Sequence, residues 1–272
     1  MTVGRLKDII SSGEGYNFHT HTPWCDGHSA PREMALAAIA ADISHLGFSP
    51  HSPVPVPSPC NMAMTDVPAY FDAITRLRDE FYPGLHVYTG MEVDYLHGLY
   101  GPASPEIQDL GLDFAIGSVH FIPRRDGRFV DIDGNFDSFT RKMHDDFGGD
   151  IVYVVNTFYE ASHRMLELGG FEILGHADKV AQNAGLYHPG LEQEGWYRDL
   201  ADNFLKAVAE SGVIVEINTK VRADKGRFFP HERFWPRLVE SGVALMVNSD
   251  AHYAEKINAS RGEALETLQR YA

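Results

Sequence analysis

Short apolar runs alternate with helix-length stretches along this chain, and each run closes on a histidine or an acidic residue. Gly15-Tyr-Asn-Phe leads to His19, Gly47-Phe-Ser-Pro to His51, and His86-Val-Tyr-Thr-Gly-Met to Glu92. Leu112-Asp-Phe-Ala-Ile-Gly-Ser-Val leads to His120, Phe171-Glu-Ile-Leu-Gly to His176, Val213-Ile-Val to Glu216 and Asn218, and Val243-Ala-Leu-Met-Val-Asn-Ser to Asp250. Runs this short, bounded by glycine and apolar throughout, predict strands buried on both faces. The glycines that precede several of them are helix-terminating signals.

Between the runs, helical periodicity predicts helices over 31–42, 66–81, 150–168, 194–210 and 231–240, and a last one within 255–271. Strands alternating with helices make parallel βαβ units. Seven such units favour an α/β barrel, with a doubly wound open sheet as the alternative. Helix-to-strand connections are short. Strand-to-helix connections are long and polar, namely 49–65 with five prolines, 121–134, 177–193 and 219–230. The long loops thus fall on the C-terminal side of the strands, where α/β barrels carry their active sites. No low-complexity stretch or linker interrupts the pattern, so one catalytic barrel domain over 1–272 is expected.

Composition narrows the chemistry. With 23 basic and 38 acidic residues the formal charge is −15, and no basic block relieves it. A surface that neutralises nucleic-acid phosphates is therefore not expected. The two cysteines, Cys25 and Cys60, are too few for a disulfide framework and fit a reducing cytoplasm. Residues 1–16 lack the apolar segment of a secretion signal, and the longest apolar runs are strand-sized. A soluble cytoplasmic protein with no membrane partner is expected.

Histidine is abundant, with 14 copies. His19 and His21, two apart on an extended strand, can present ring nitrogens to one ion. A lone His-x-His pair is commonly a surface feature. His51, Glu92, His120, His176, Asp250 and His252 hold equivalent strand-end positions, and a parallel barrel brings strand ends together. Imidazoles and carboxylates gathered without counter-charge would be costly, and cations resolve that cost. Neutral imidazole with carboxylate suits Zn²⁺, Mn²⁺ or Fe²⁺ better than Ca²⁺ or Mg²⁺.

Together these motifs resemble the PHP (polymerase and histidinol phosphatase) metal-dependent phosphoesterases, and within them the histidinol-phosphate phosphatases. The matching segments are His19-Thr-His21 with Cys25-Asp26-Gly27, Pro50-His51, Gly90-Met-Glu92-Val-Asp94, Gly117-Ser-Val-His120-Phe, Leu174-Gly-His176-Ala-Asp178, Glu216-Ile-Asn218-Thr and Asn248-Ser-Asp250-Ala-His252. The resemblance implies a single distorted (β/α)7 TIM-like barrel with a metal site at the C-terminal strand ends holding three divalent transition-metal ions (Zn, Mn or Fe). In it His19, His21, Glu92 and Asp250 would hold one ion, and Glu92 would bridge to a second that also takes His120 and His176. Asp26, His51 and His252 would hold the third, with His28 the competitor of Asp26. The implied activity is hydrolysis of L-histidinol phosphate in histidine biosynthesis; a PHP-type phosphoesterase acting on nucleotides or another small phosphate ester is the alternative.

Lys220 and Arg222, directly after the Glu216/Asn218 strand end, are candidate phosphate ligands. Asp26 and His252 are candidates for protonating the leaving oxygen. Asp94, Trp24 and His231 are expected over the same face, where Asp94 could pair with a substrate ammonium. The remaining histidines, and Arg124, Arg125 and Arg128, read as packing or solvated residues.

Overall fold

The computed structural model describes residues 1–271 and is a nearly closed barrel of parallel strands wrapped by helices. In chain order the strands are β1 (Tyr16–Asn17), β2 (His45–Phe48), β3 (His86–Asp94), β4 (Phe114–Ser118), a side hairpin of β5 (Phe121–Pro123) and β6 (Phe129–Asp131), then β7 (Ile173–Leu174), β8 (Ile214–Asn218) and β9 (Leu245–Asn248). The seven-stranded sheet runs β1-β2-β3-β4-β7-β8-β9 with parallel pairing throughout. The helices are α1 (Val3–Ser11), α2 (Pro31–Ala40), α3 (Val67–Phe81), α4 (Pro105–Gln108), α5 (Phe136–Asp145), α6 (Ile151–Leu168), α7 (Val180–Tyr187), α8 (Gly195–Ser211), α9 (Arg222–Lys225), α10 (Trp235–Glu240) and α11 (Arg261–Leu268).

Side chains alternate across each strand, and the inward positions change character along it. On β4 they are Phe114, Ile116 and Ser118; on β8, Ile214, Glu216 and Asn218; on β9, Met246 and Asn248, followed by Asp250. The lower barrel is therefore filled by Phe18, Phe114, Ile116, Ile173, Ile214 and Met246, and the upper barrel is lined by polar groups. Gly47 and Gly90 make the lower layer possible. A Cβ at either would lie 2.6 or 2.4 Å from the Phe114 ring.

The first and last strands meet at a seam that side chains largely close. Backbone pairing there is confined to the rim, with His21 N to Ala251 O at 2.9 Å and Ala251 N to His19 O at 3.2 Å. Below it, Asn248 Oδ1 accepts from Phe18 N at 2.9 Å and the Tyr16 hydroxyl accepts from Val247 N at 3.2 Å. The buried Arg261 guanidinium donates to the carbonyls of Tyr16 on β1 and Val247 on β9. Burial pushes that guanidinium down to about 10. Closure of the sheet favours the barrel over the open alternative.

Three regions differ from the sequence expectation. Residues 1–15 were given no element, yet Leu6 and Ile9 on one face of α1 are buried against the barrel floor, worth about 1.5–3 kcal/mol each. The loop 121–134 contains the β5–β6 hairpin, turned at Gly127 with φ of 86°. The loop 177–193 contains α7, whose Val180, Ala181 and Ala184 are buried. In both loops a short apolar face packs on α6 or on the sheet, which periodicity within so few residues does not reveal.

Candidate metal centre

The ladder that builds the barrel also aims its donors. Ser49 N donates to Thr20 O at 2.8 Å, Glu92 N to Pro50 O at 3.0 Å and Ser52 N to Glu92 O at 2.8 Å, so pairing continues past β2 and sets His51 beside Glu92. His120 follows β4, His176 follows β7, and Asp250 and His252 follow β9. Asp250 sits at φ of 50°, a left-handed conformation that aspartate tolerates better than bulkier residues.

Glu92 is the hub. Its Oε2 lies 3.1 Å from His19 Nε2, 3.2 Å from His51 Nδ1 and 3.5 Å from His21 Nε2. Its Oε1 lies 2.7 Å from His176 Nε2 and 3.5 Å from His120 Nε2. Three sets of ligand atoms fall within 4.8 Å of one another: His19, His21 and Asp250; His21, Asp26, His51 and His252; and His51, Glu92 and His120. Within these sets His21 Nε2, Asp26 Oδ1 and His51 Nδ1 are buried with no hydrogen-bond partner. Buried polar atoms without partners are costly. Orphaned atoms of this kind, in a mixed imidazole and carboxylate set, fit divalent metal ions.

A second layer fixes the rings. Glu216 Oε1 is 2.6 Å from His19 Nδ1, and Asp94 Oδ1 is 2.7 Å from His120 Nδ1, so in each case Nε2 is turned toward Glu92. Carboxylates in this position set tautomer and orientation of a metal-binding imidazole. Glu216 is itself held by Asn218 and Asn248 at 3.1 Å each, and Asp94 by Asn61 at 2.8 Å.

Burial acts on every ionisable group here, and the neighbours decide the outcome. Burial would lower His19, but the carboxylates of Glu216, Asp250 and Glu92 outweigh it and lift the ring to about 10. His120 is raised to about 9 against burial, chiefly by Asp94. Burial pushes His51 down to about 3 and His252 to about 4. Glu92 and Asp250 stay well below the usual carboxylate range despite burial, held there by the surrounding imidazoles and, for Asp250, by Lys220. In the metal-free protein, below pH ~6.5 the unfolded chain protonates His51 and His252 while the fold keeps them neutral, so stability falls with falling pH. Above pH ~6.5 the fold retains protons on His19 and His120 that the unfolded chain releases, so stability falls as pH rises toward 9 or 10. Thermal melts of chelated protein between about pH 4 and 10 should therefore peak near pH 6.5. A midpoint still climbing at pH 9 would contradict this balance of charges.

Of the residues singled out from sequence, His19, His21, Asp26, His51, Glu92, His120, His176, Asp250 and His252 are brought together. Asp26 Oδ1 is 3.2 Å from His252 Nε2 and 3.4 Å from His21 Nδ1, whereas His28 stacks on Tyr253 with ring centroids 4.4 Å apart. Lys220 Nζ reaches Asp250 Oδ1 and His252 Nε2, each at 3.2 Å. Arg222 is not brought to the site. On the turn into α9 it points away from Lys220, donating to Glu263 at 2.9 Å and lying over Phe228. Asp94 lines the cavity but is committed to His120 and Asn61. Arg124, Arg125 and Arg128 pair with Asp146, Asp150 and Asp126.

Sequence reasoning missed Lys179. It lines the cavity, with Nζ 2.7 Å from Asp133 Oδ2 and 3.3 Å from His120 Nε2. Burial would discharge it, but Asp133, Asp250 and Glu92 hold the ammonium above its ordinary range. Its place three residues after His176 was the available signal.

The cluster forms the floor of a cavity of about 400 Å³, whose walls include Ser58, Asn61, Asp131, Asp133, Lys179 and Lys220. Residues 17–220 match the PHP domain. The chain is 27% identical over 259 residues to the probable histidinol-phosphatase of Deinococcus radiodurans, covering 92% of this chain and 91% of that one. It is 26% identical over 265 residues to the histidinol-phosphatase of Bacillus subtilis, covering 91% and 97%. A histidinol phosphate phosphatase of Lactococcus lactis, solved with zinc, L-histidinol and phosphate, superposes with a TM-score of 0.67 at 19% identity, covering 95% of this chain and 94% of that one. At that identity the structural likeness speaks for the fold.

Proposed function

The chain belongs to the PHP domain family, and on that footing we propose that it is a metal-dependent phosphomonoesterase hydrolysing L-histidinol phosphate to L-histidinol and phosphate. The observation that carries this reading is the coincidence of the donor cluster with the floor of a cavity sized for a small ester. The nearly full-length likeness to histidinol-phosphatases supports the choice of ester. The ligand sets we assign are His19, His21, Glu92 and Asp250 for one ion, Glu92, His120 and His176 for a second, and Asp26, His51 and His252 for a third; the close grouping of these donors supports the assignment. On this reading the whole of 1–272 acts as one catalytic barrel domain, in the cytoplasm, in histidine biosynthesis.

Divalent ions bound there supply Lewis-acid neutralisation of phosphoryl charge and acidify water. The protein's own groups do the rest. Glu216 and Asp94 hold His19 and His120 in one orientation. Lys220 Nζ, on the rim beside Asp250, donates to a phosphoryl oxygen and stabilises charge that grows there. The alcohol end, with its ammonium and imidazole, faces a wall that includes Asp131 and Asn61.

Pairing a substrate ammonium with a partly desolvated carboxylate contributes on the order of 1.5–3 kcal/mol, or about one to two decades in kcat/KM. Steady-state kinetics should thus favour histidinol phosphate over an uncharged alkyl phosphate by about ten- to hundredfold, with little release of nucleotides from single-stranded DNA. Equal kcat/KM for the two small esters, or efficient nucleotide hydrolysis, would shift the assignment to the nucleotide-type phosphoesterase.

A further inference from the structure

Two lysines flank the donor cluster, one beside His120 and one beside Asp250 and His252, and only one of them was visible as a candidate in the sequence. Lys220 stands over Asp250 and His252. Lys179 stands over His120 and is the other lysine that lines this cavity. The arginines nearest in sequence to the candidate motifs are all committed elsewhere to carboxylates.

The environment of Lys179 is unusual for a structural ion pair. Its side chain is only 15% exposed, and its backbone is fixed by a turn in which Lys179 N donates to His176 O at 2.9 Å. An ammonium has three donors and no acceptor. Here Asp133 Oδ2 is within reach as an acceptor, and His120 Nε2 is one when its ring is neutral. With His120 Nε2 turned to an ion, the lysine keeps Asp133, loses its second acceptor and gains a cationic neighbour. An arriving anion satisfies both deficits at once, and the freed donors face the cavity.

We propose that Lys179 is a second phosphate-gripping residue, whose ammonium, positioned by Asp133, donates to a phosphoryl oxygen of the ester from the His120 and His176 side of the cavity, while Lys220 reaches it from the Asp250 and His252 side. This rests on the phosphate-ester reading above and adds the residue that orients the ester. Held by both lysines, the phosphoryl group is fixed at two points beside the donor cluster.

The test uses the full-length zinc-loaded protein with inorganic phosphate as the probe, titrated calorimetrically, alongside elemental analysis of bound zinc. Lys179→Gln should weaken phosphate binding about ten- to hundredfold at unchanged zinc content, in line with loss of a charged hydrogen bond. Lys179→Arg should recover most of that loss. Unchanged phosphate affinity in Lys179→Gln at full zinc content would overturn the proposal and leave the lysine as a partner of Asp133 alone. Loss of zinc in parallel with phosphate would also overturn it, because the lysine would then act through His120. Phosphate affinity that depends on Lys179 in a protein unable to turn over histidinol phosphate would uphold the lysine's role and overturn the substrate reading only.

Discussion

Glu92→Ala is expected to lower kcat/KM by about a thousandfold or more and to strip most of the bound divalent metal. Both carboxylate oxygens are in use: Oε2 lies against His19, His21 and His51, and Oε1 against His120 and His176. Removing a residue that merely supports a metal ligand typically costs 10- to 100-fold. Glu92 touches members of all three ligand sets, so its loss should exceed that range. It also removes one of the few anions among five buried imidazoles, leaving less negative charge to offset any cation placed there. Elemental analysis together with kcat/KM reads both effects. Retention of full metal and activity in this variant would show that the assignment of Glu92 as the shared ligand is wrong.

Chelation of the wild-type protein is expected to abolish turnover, by about 10³-fold or more, and to lower the melting temperature by roughly 10 °C near neutral pH. The activity figure follows from the several kcal/mol of charge stabilisation that bound ions contribute to phosphoryl transfer. The stability figure follows from mass action, since free ion at a thousand times Kd stabilises the fold by about 4 kcal/mol. A chain of this length shifts by about 2–4 °C per kcal/mol. The loss should reverse on adding back zinc or manganese, because the barrel's lower layer does not depend on the ions. A chelated protein that melts at the same temperature and still hydrolyses the ester would mean that the cluster is a polar network satisfied without cations.

The site was legible in the sequence to the extent that it is written at strand ends. His19, His51, His120, His176 and Asp250 each follow a short apolar run directly, and a parallel barrel leaves those positions nowhere to point but the rim. Asp26 against His28 was open from spacing alone; in the structure Asp26 Oδ1 lies beside His21 and His252, while the His28 ring stacks on Tyr253 at the cavity wall. Arg222 and Lys220 looked equivalent, two residues apart after one strand. The turn into α9 separates them, with one ammonium over Asp250 and one guanidinium on Glu263.

Local chemistry, then, determined the strand and helix grammar, the polar rim, the donor types that suit divalent ions and the family resemblance, since each depends on residues close together in the chain. Only the tertiary structure decided what depends on register between distant segments. It joined β1 to β9 through Asn248, Tyr16 and Arg261, set Glu216 on His19 and Asp94 on His120, and delivered Lys179 to the cavity wall beside Asp133. The physical reason is that such pairings join residues dozens to hundreds of positions apart, and a one-residue slip in a ladder would turn strand side chains such as Asp94, Glu216 and Asn248 to the other face.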